Sequence, residues 1–412
     1  DEWEGNRAPK SGVGPSIYFG DRQATIYTLN ALTGELRWKK ELDSHRGALM
    51  AGSIVKHEGR LYAPVSGGGG VEAMDSCCTF RGSVSALNAK TGELIWKTYT
   101  IPETPTEQWI NAKGVPQFGP SGAGVWNTPT IDVKRRKLYV GTGENTSTPA
   151  VNGGSIIAMD LDDGSIDWIM QATPEEGYNP TCKESLSYIN CPKEYKGRKG
   201  LDFGGGSAIL LQHKGERDVI VAGQKTGWIY GLDPDQDGKV VWRRSISRGD
   251  YNKANRFGMA VDGRAVIATV DDLYRNPIKG PYFGIEELGI YALDGFTGES
   301  LWSAPVSRDC KEQTCRGYAS ALTTIPGAVF AGSQDGWLRV FDTKNGELLW
   351  DFDTVRDYTT VNGSPAKGGT LGGLGPVIVN GNVYVNSGYN LLRGDIPGNV
   401  LLVFSSQESK DK

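Results

Sequence analysis

The ten residues LNALTGELRW, Leu29 to Trp38, leave a β-rich segment, turn at an asparagine and a Thr-Gly pair, and depart in a strand that ends in tryptophan. Asparagine favours such turns because its side chain can hydrogen-bond the backbone two residues on, and glycine supplies the left-handed conformation a tight turn needs. The same design returns five times: LNAKTGELIW to Trp96, MDLDDGSIDW to Trp168, LDPDQDGKVVW to Trp242, LDGFTGESLW to Trp302 and FDTKNGELLW to Trp350. Successive tryptophans lie 58, 72, 74, 60 and 48 residues apart. Self-similarity at such a period marks a solenoid or a propeller.

Each unit carries a strand pair upstream of its turn, such as KLYVGTGEN or AVFAGSQDGWLRVFD. Alternating β-branched and aromatic residues with Gly and Asp at the turns fit short antiparallel strands. No stretch sustains a helical period, so little helix is expected. Four strands per unit, stacked radially, give an all-β fold, a β-propeller. The six repeat tryptophans are then packing residues between blades, and none is assigned to catalysis. A seventh unit, GPVIVNGNVYVNSGYN followed by NVLLVFSS at about residues 370–406, has no tryptophan strand after it. The chain also starts short, at SIYFGDRQATIYTLNALTGELRW, without an innermost strand. Residues 1–412 read as a single propeller domain with seven visible blades. The simplest expectation is that the termini share one blade; the other is an eight-bladed ring with a blade missing from the N-terminus.

A net charge of −4 over 412 residues argues against nucleic acid as a partner. No apolar run is long enough for a membrane span. The opening DEWEGNRAPK lacks a signal peptide's apolar segment, so any targeting sequence is expected to have been removed or left out, and the closing SSQESKDK reads as a solvated tail. The six cysteines fall into three local pairs, Cys77 with Cys78, Cys182 with Cys191, and Cys310 with Cys315. That pattern points to an oxidising compartment. The three histidines, His45, His57 and His213, lie away from these pairs, which argues against zinc, and no Cys-x-x-Cys-His haem attachment occurs. The neighbours in DSCCTFRG stand apart, because adjacent cysteines cannot staple distant segments. Three readings are open on the residues alone: a tight ring that includes their own peptide bond, two reduced buried thiols, or two half-cystines with separate partners.

The Ala-x-Asp/Asn-x-x-Thr-Gly-x-x-x-Trp repeat resembles that of the quinoprotein dehydrogenases, which bind pyrroloquinoline quinone (PQQ). The runs CCTFRGSVSALNAKTGELIWKTYT and GPVIVNGNVYVNSGYN…PGNVLLVFS are similar to the polyvinyl-alcohol-dehydrogenase-like branch, and the resemblance covers nearly the entire chain. It implies a disulfide between Cys77 and Cys78 lying over the quinone, with Arg81 following to bind the quinone's oxygens. It places Trp126, in VWNTPTIDVKRRKLYVGTGEN, as the floor beneath the quinone. The family's Gly-Thr-Gly-Asn loop, whose asparagine ligates calcium, appears here as GTGEN, so Glu144 and Asn145 are both candidate metal ligands. Asn145 also begins an Asn-Thr-Ser glycosylation acceptor sequence. In GLDFGGG, Asp202 takes the position of the catalytic base beside the metal, and Lys225, in AGQKTGWIYGLD, that of the cation at the reactive carbonyl.

An aspartate among small apolar residues is costly to bury unpaired, which a metal or cofactor would resolve. The bland alternatives are a core aromatic for Trp126, a turn cap for Asp202 and a solvated loop lysine for Lys225. Two departures matter. Trp126 follows Cys78 by only 48 residues, too few for the blade that brings the larger enzymes a further metal-ligating glutamate. Gly204 stands where lanthanide-dependent members have a second aspartate, so calcium is the expected metal. The resemblance implies a periplasmic or extracellular (secreted) oxidoreductase that oxidises a small-molecule or polymeric alcohol with PQQ and calcium. Electrons would pass to an external acceptor such as a c-type cytochrome. The rival reading is a cofactor-free propeller acting as a binding or assembly scaffold.

Overall fold

The turn chemistry of the repeat is realised six times. In the computed structural model, which describes residues 15–67, 74, 76–197, 201–213, 215–247, 254–271, 288–306, 317–389 and 395–405, the repeat Asn or Asp accepts a backbone hydrogen bond from the residue two places on. Asn30 accepts from Leu32, Asn88 from Lys90, Asp160 from Asp162, Asp233 from Asp235, Asp294 from Phe296 and Asp342 from Lys344. The glycines of these turns hold φ between +70° and +76°. Opposite each tryptophan the strand register then shifts, leaving the residue before it without a cross-strand partner: Arg37, Ile95, Asp167, Val241, Leu301 and Leu349. A β-bulge of this kind bends the strand and increases its twist.

The bulge aims each indole at the next blade. A Cβ on Gly164 would lie 2.5 Å from the Trp96 ring, and Gly92, Gly238, Gly298 and Gly346 are closed in the same way by Trp38, Trp168, Trp242 and Trp302. The repeat glycine is therefore required twice, for its left-handed backbone and for the missing side chain over which the preceding blade's tryptophan lies. The apolar core is accordingly sliced into layers between blades. One layer joins Tyr62, Val84 and Trp96 to Leu138, Val140 and Ile157, and another joins Ile267, Ile290 and Trp302 to Val329, Ala331 and Phe341.

Among the described residues seven antiparallel sheets are blades, and they make a seven-bladed β-propeller. The blade from Val55–His57 to Leu94–Tyr99 carries a short fifth strand, Ala48–Leu49, and four-stranded blades run from Thr130–Asp132 to Ile166–Gln171, from Ile209–Leu211 to Lys239–Ser245, from Ala260–Asp262 to Ser300–Pro305, and from Thr323–Ile325 to Leu348–Asp353. The first strands of neighbouring blades approach one another, which places them innermost. Between the second and third blades a hairpin, Thr106–Ile110 with Pro116–Gly119, is inserted. Among the described residues the only helix is a single 3-10 turn, Glu184–Leu186, and no helix is long and apolar enough to cross a membrane.

The ends differ from the simplest expectation. The first sheet holds Ser16–Gly20, Thr25–Asn30 and Leu36–Glu41, and the last holds Val377–Val379, Asn382–Ser387 and Val400–Ser405. The first has a blade's second, third and outer strands, and the last has its inner, second and third. Two sheets that duplicate the middle positions do not make one four-stranded blade, so among the described residues the two ends lie in separate sheets. Among the described residues, nothing lies within 4 Å of a Cβ built on Gly34, the first repeat's glycine.

Gly34 and Gly164 share the left-handed backbone (φ +73° and +76°) but not the overlying indole. Gly34→Ala should therefore carry only the backbone penalty, about 1–2 kcal/mol. Gly164→Ala should carry that plus about 1–3 kcal/mol of overpacking against Trp96. Denaturation midpoints of the two variants test this, and equal losses would refute the interlock.

Candidate cofactor site

The loops at one end of the second, third and fourth blades enclose a cavity of about 300 Å³. Backbone bridges knit these loops in sequence, Arg81 to Gly122, Gly122 to Asn145, and Asn145 to Gly177. Five glycines, Gly47, Gly67, Gly122, Gly124 and Gly143, contribute to the lining, so much of the wall is bare backbone. At Gly124 a Cβ would sit 2.9 Å from Ser66 Oγ and 3.0 Å from the Gly67 nitrogen, so only glycine lets the two strands of wall come this close. Leu49, Ala51, Phe80 and Trp126 make the apolar part of the lining.

The chemistry-bearing residues come from five separate stretches of chain. Cys77 and Cys78 are disulfide-bonded to each other, which settles the three readings of DSCCTFRG, and Cys78 faces the cavity. The pair is gripped by the inserted hairpin: Cys78 N donates to the Phe118 carbonyl at 3.0 Å, and Phe118 N to that of Cys77 at 2.6 Å. Trp126 precedes the inner strand Thr130–Asp132 and is half-buried, with its ring contributing to the wall. Glu144 lines the cavity from the GTGEN loop, and its Oε1 lies 3.4 Å from the Leu201 nitrogen, beside Asp202.

Asp202 lines the same cavity and is 4% exposed. Lys225 answers the cost of burying it. Its Nζ donates to Asp202 Oδ2 at 3.0 Å and lies 2.9 Å from Oδ1, which receives no well-aligned hydrogen bond of its own. The same ammonium sits 4.0 Å from the Trp126 ring centroid. Backbone contacts fix the pairing, because Lys225 N donates to the Asp202 carbonyl at 3.0 Å and Gln224 to that of Leu201. Lys225 is thus a buried partner of both Asp202 and Trp126, not a solvated loop lysine.

Two expected residues are held elsewhere. Arg81 donates to the carbonyls of Ile101, Pro102 and Glu103 at 3.2, 2.9 and 3.2 Å and lies over the Tyr99 ring. The Asn145 amide accepts from Val151 N at 2.9 Å and donates to the Glu176 carbonyl at 3.0 Å. With Asn145 fully buried, its acceptor sequence is closed to glycosylation in the folded protein. Cys182 and Cys191 are bonded to each other, whereas the Cys310–Cys315 pairing lies outside the described residues. Among the described residues no three His, Cys, Asp or Glu side chains gather as a metal site by themselves. The sequence did not single out Phe80, Ser66 or Thr146 as lining residues; Ser66 is the penultimate residue of the strand Arg60–Gly67, and Phe80 and Thr146 lie in loops.

Breaking a buried ion pair strands the remaining charge and typically costs about 3–5 kcal/mol. Lys225→Met should destabilise the protein by that order in a denaturation curve, and Asp202→Asn with Lys225→Met should recover most of it. A single variant as stable as the double would show that the pair is not coupled.

Residues 3–276 and 284–371 match a family model of the PQQ-type repeat described as "Outer membrane protein assembly factor BamB". The chain is 38% identical over 408 residues to a polyvinylalcohol dehydrogenase of Pseudomonas sp and 37% identical over 413 residues to one of Sphingopyxis sp. (strain 113P3). These alignments cover 95% of this chain and 62% and 61% of the relatives, so the chain spans less than two thirds of their length. Among solved structures, quinohemoprotein alcohol dehydrogenase from Comamonas testosteroni is similar with a TM-score of 0.60 at 18% identity, covering 91% of this chain and 62% of that one. BamB from Moraxella catarrhalis is similar with a TM-score of 0.52 at 17% identity, covering 91% and 79%. At these identities the structures speak for the fold alone. The chain belongs to the PQQ-type β-propeller family.

Proposed function

We propose that this chain carries the cofactor site of a PQQ-dependent alcohol dehydrogenase. One observation carries the reading: Cys78, Trp126, Glu144 and Asp202 line a single cavity, and Lys225 lies against two of them. A scaffold that works through its outer surface has no use for that convergence. The donor chemistry also fits. Glu144 and Asp202 are hard oxygen donors of the kind calcium takes, and two carboxylates fall short of a full shell, leaving positions for the cofactor's own oxygens.

When bound, PQQ supplies the acceptor for the alcohol's hydride and calcium supplies a Lewis acid. The rest falls to the chain. The Trp126 ring and the Cys77–Cys78 disulfide offer stacking surfaces for a flat ring system, and the glycine-lined wall keeps the slot open. Asp202 stands as the general base for the alcohol's hydroxyl proton. Lys225 orients that carboxylate, balances its charge and provides positive potential where negative charge develops. Leu49, Ala51 and Phe80 give the non-reacting part of an alcohol, small or polymeric, an apolar wall. Two formed disulfides agree with a periplasmic or extracellular setting, and electrons would leave to an external acceptor such as a c-type cytochrome.

Reconstitution with PQQ and calcium, followed by an alcohol-dependent dye-reduction assay, tests the reading. Asp202→Asn keeps nearly the same shape and removes the proton acceptor, so at saturating PQQ and calcium it should bind the quinone yet turn over about 10²–10⁴-fold more slowly. A variant with full occupancy and near-normal turnover would exclude Asp202 as the base and leave Glu144 as the next candidate. A wild-type chain that binds no PQQ would instead favour the scaffold.

A further inference from the structure

Behind the cysteine pair lies a second layer that the proposed chemistry does not use. Asn179 is 1% exposed, in the long loop between the third and fourth blades. Its amide nitrogen lies 2.9 Å from the Thr146 carbonyl, 2.7 Å from that of Asn190, and 3.7 Å from Cys77 Sγ. Its amide oxygen accepts from the nitrogen and hydroxyl of Thr181 at 2.9 and 2.7 Å. One side chain thus joins the cysteine pair, the cavity-lining Thr146 and the loop that Cys182–Cys191 closes.

That loop is tied in turn to the other side of the pair. Asn190 Oδ1 accepts from Asn111 Nδ2 at 2.7 Å, and Asn111 turns the inserted hairpin by accepting from Lys113 and Val115. The hairpin's second strand grips the cysteines through Phe118 and through Gln117, whose Oε1 accepts from Cys77 N at 3.2 Å. Asn111, Gln117, Asn179 and Asn190 are each 6% exposed or less. A buried polar network satisfied in this way holds its members in one geometry.

We propose that Asn179, anchored by the Cys182–Cys191 disulfide, is a positioning residue that holds the Cys77–Cys78 ring and Thr146 against the cavity. The integrity of the remote disulfide thereby sets the affinity for a flat quinone. The inference rests on the PQQ reading for its ligand, but the clamp itself has a ligand-independent readout. Intrinsic tryptophan fluorescence titrated with PQQ, at saturating calcium, should show binding about 10- to 100-fold weaker in Asn179→Ala and in Cys182→Ser/Cys191→Ser, as expected when buried partners lose their hydrogen bonds. Turnover at saturating PQQ should stay near that of the wild type, since neither change touches the base. In parallel, the chains are treated with a limiting thiol reductant and mapped by mass spectrometry. Cys77–Cys78 should open faster in both variants than in the wild type. Unchanged PQQ affinity with an equally protected cysteine pair would overturn the proposal, and the double cysteine variant decides it if Asn179→Ala does not fold. Should the wild type bind no quinone, the PQQ reading fails, and the reduction rates alone decide the clamp.

Discussion

The contact on which the molecule depends is an indole laid on a glycine of the next blade. It sets the angle between blades, because a bulge one residue before each tryptophan turns the ring out of its own sheet, and a left-handed glycine receives it. Five such contacts connect the first six blades in series. The inner strands then converge, and the loops at their ends meet at one place. The cavity is a consequence of that convergence. Its glycine-lined wall is formed by loops that no local interaction would bring together.

At that place the chain solves an electrostatic problem with its own residues. An aspartate at 4% exposure needs a counter-charge, and Lys225 supplies it from 23 positions away in sequence. The lysine is shared with the π face of Trp126, and such a contact strengthens as water is excluded. One ammonium therefore couples the proposed base to the proposed floor. A cation entering beside Asp202 would compete with Lys225 for the carboxylate.

The repeat was legible because each of its letters has a local physical task. The Asn or Asp closes the turn, glycine takes the positive φ, and tryptophan supplies the apolar surface, so strand content and blade count could be read directly. The adjacent cysteines were not decided by their own residues, which left three arrangements open; the family resemblance implied the bond that the structure holds. The ends were not legible: a strand pattern tells which residues pair with something, but whether two three-stranded sheets merge depends on which positions each already fills. Arg81 was misleading because proximity to Cys78 in sequence says nothing of where a long side chain finds acceptors, and three carbonyls at Ile101 to Glu103 capture it. Asn179 had no sequence signal at all. Its contacts to Cys77 and Thr146 join its own loop to two distant segments, and only the folded chain makes them neighbours.

The uneven spacing of the tryptophans now has a physical meaning. The shortest interval, 48 residues from Trp302 to Trp350, is enough to complete a four-stranded blade. The intervals of 72 and 74 residues, ending at Trp168 and Trp242, contain the inserted hairpin and the disulfide-closed loop. Neither insertion contributes a strand to a blade; both are packed against the cysteine pair, one through Phe118 and Gln117 and the other through Asn179. A propeller needs blades of equal shape but not of equal length, and loops at blade ends can lengthen without disturbing the stack. The chain has placed its two longest additions on either side of a single two-residue ring, where added residues constrain the cavity wall and leave the blade-to-blade contacts unchanged.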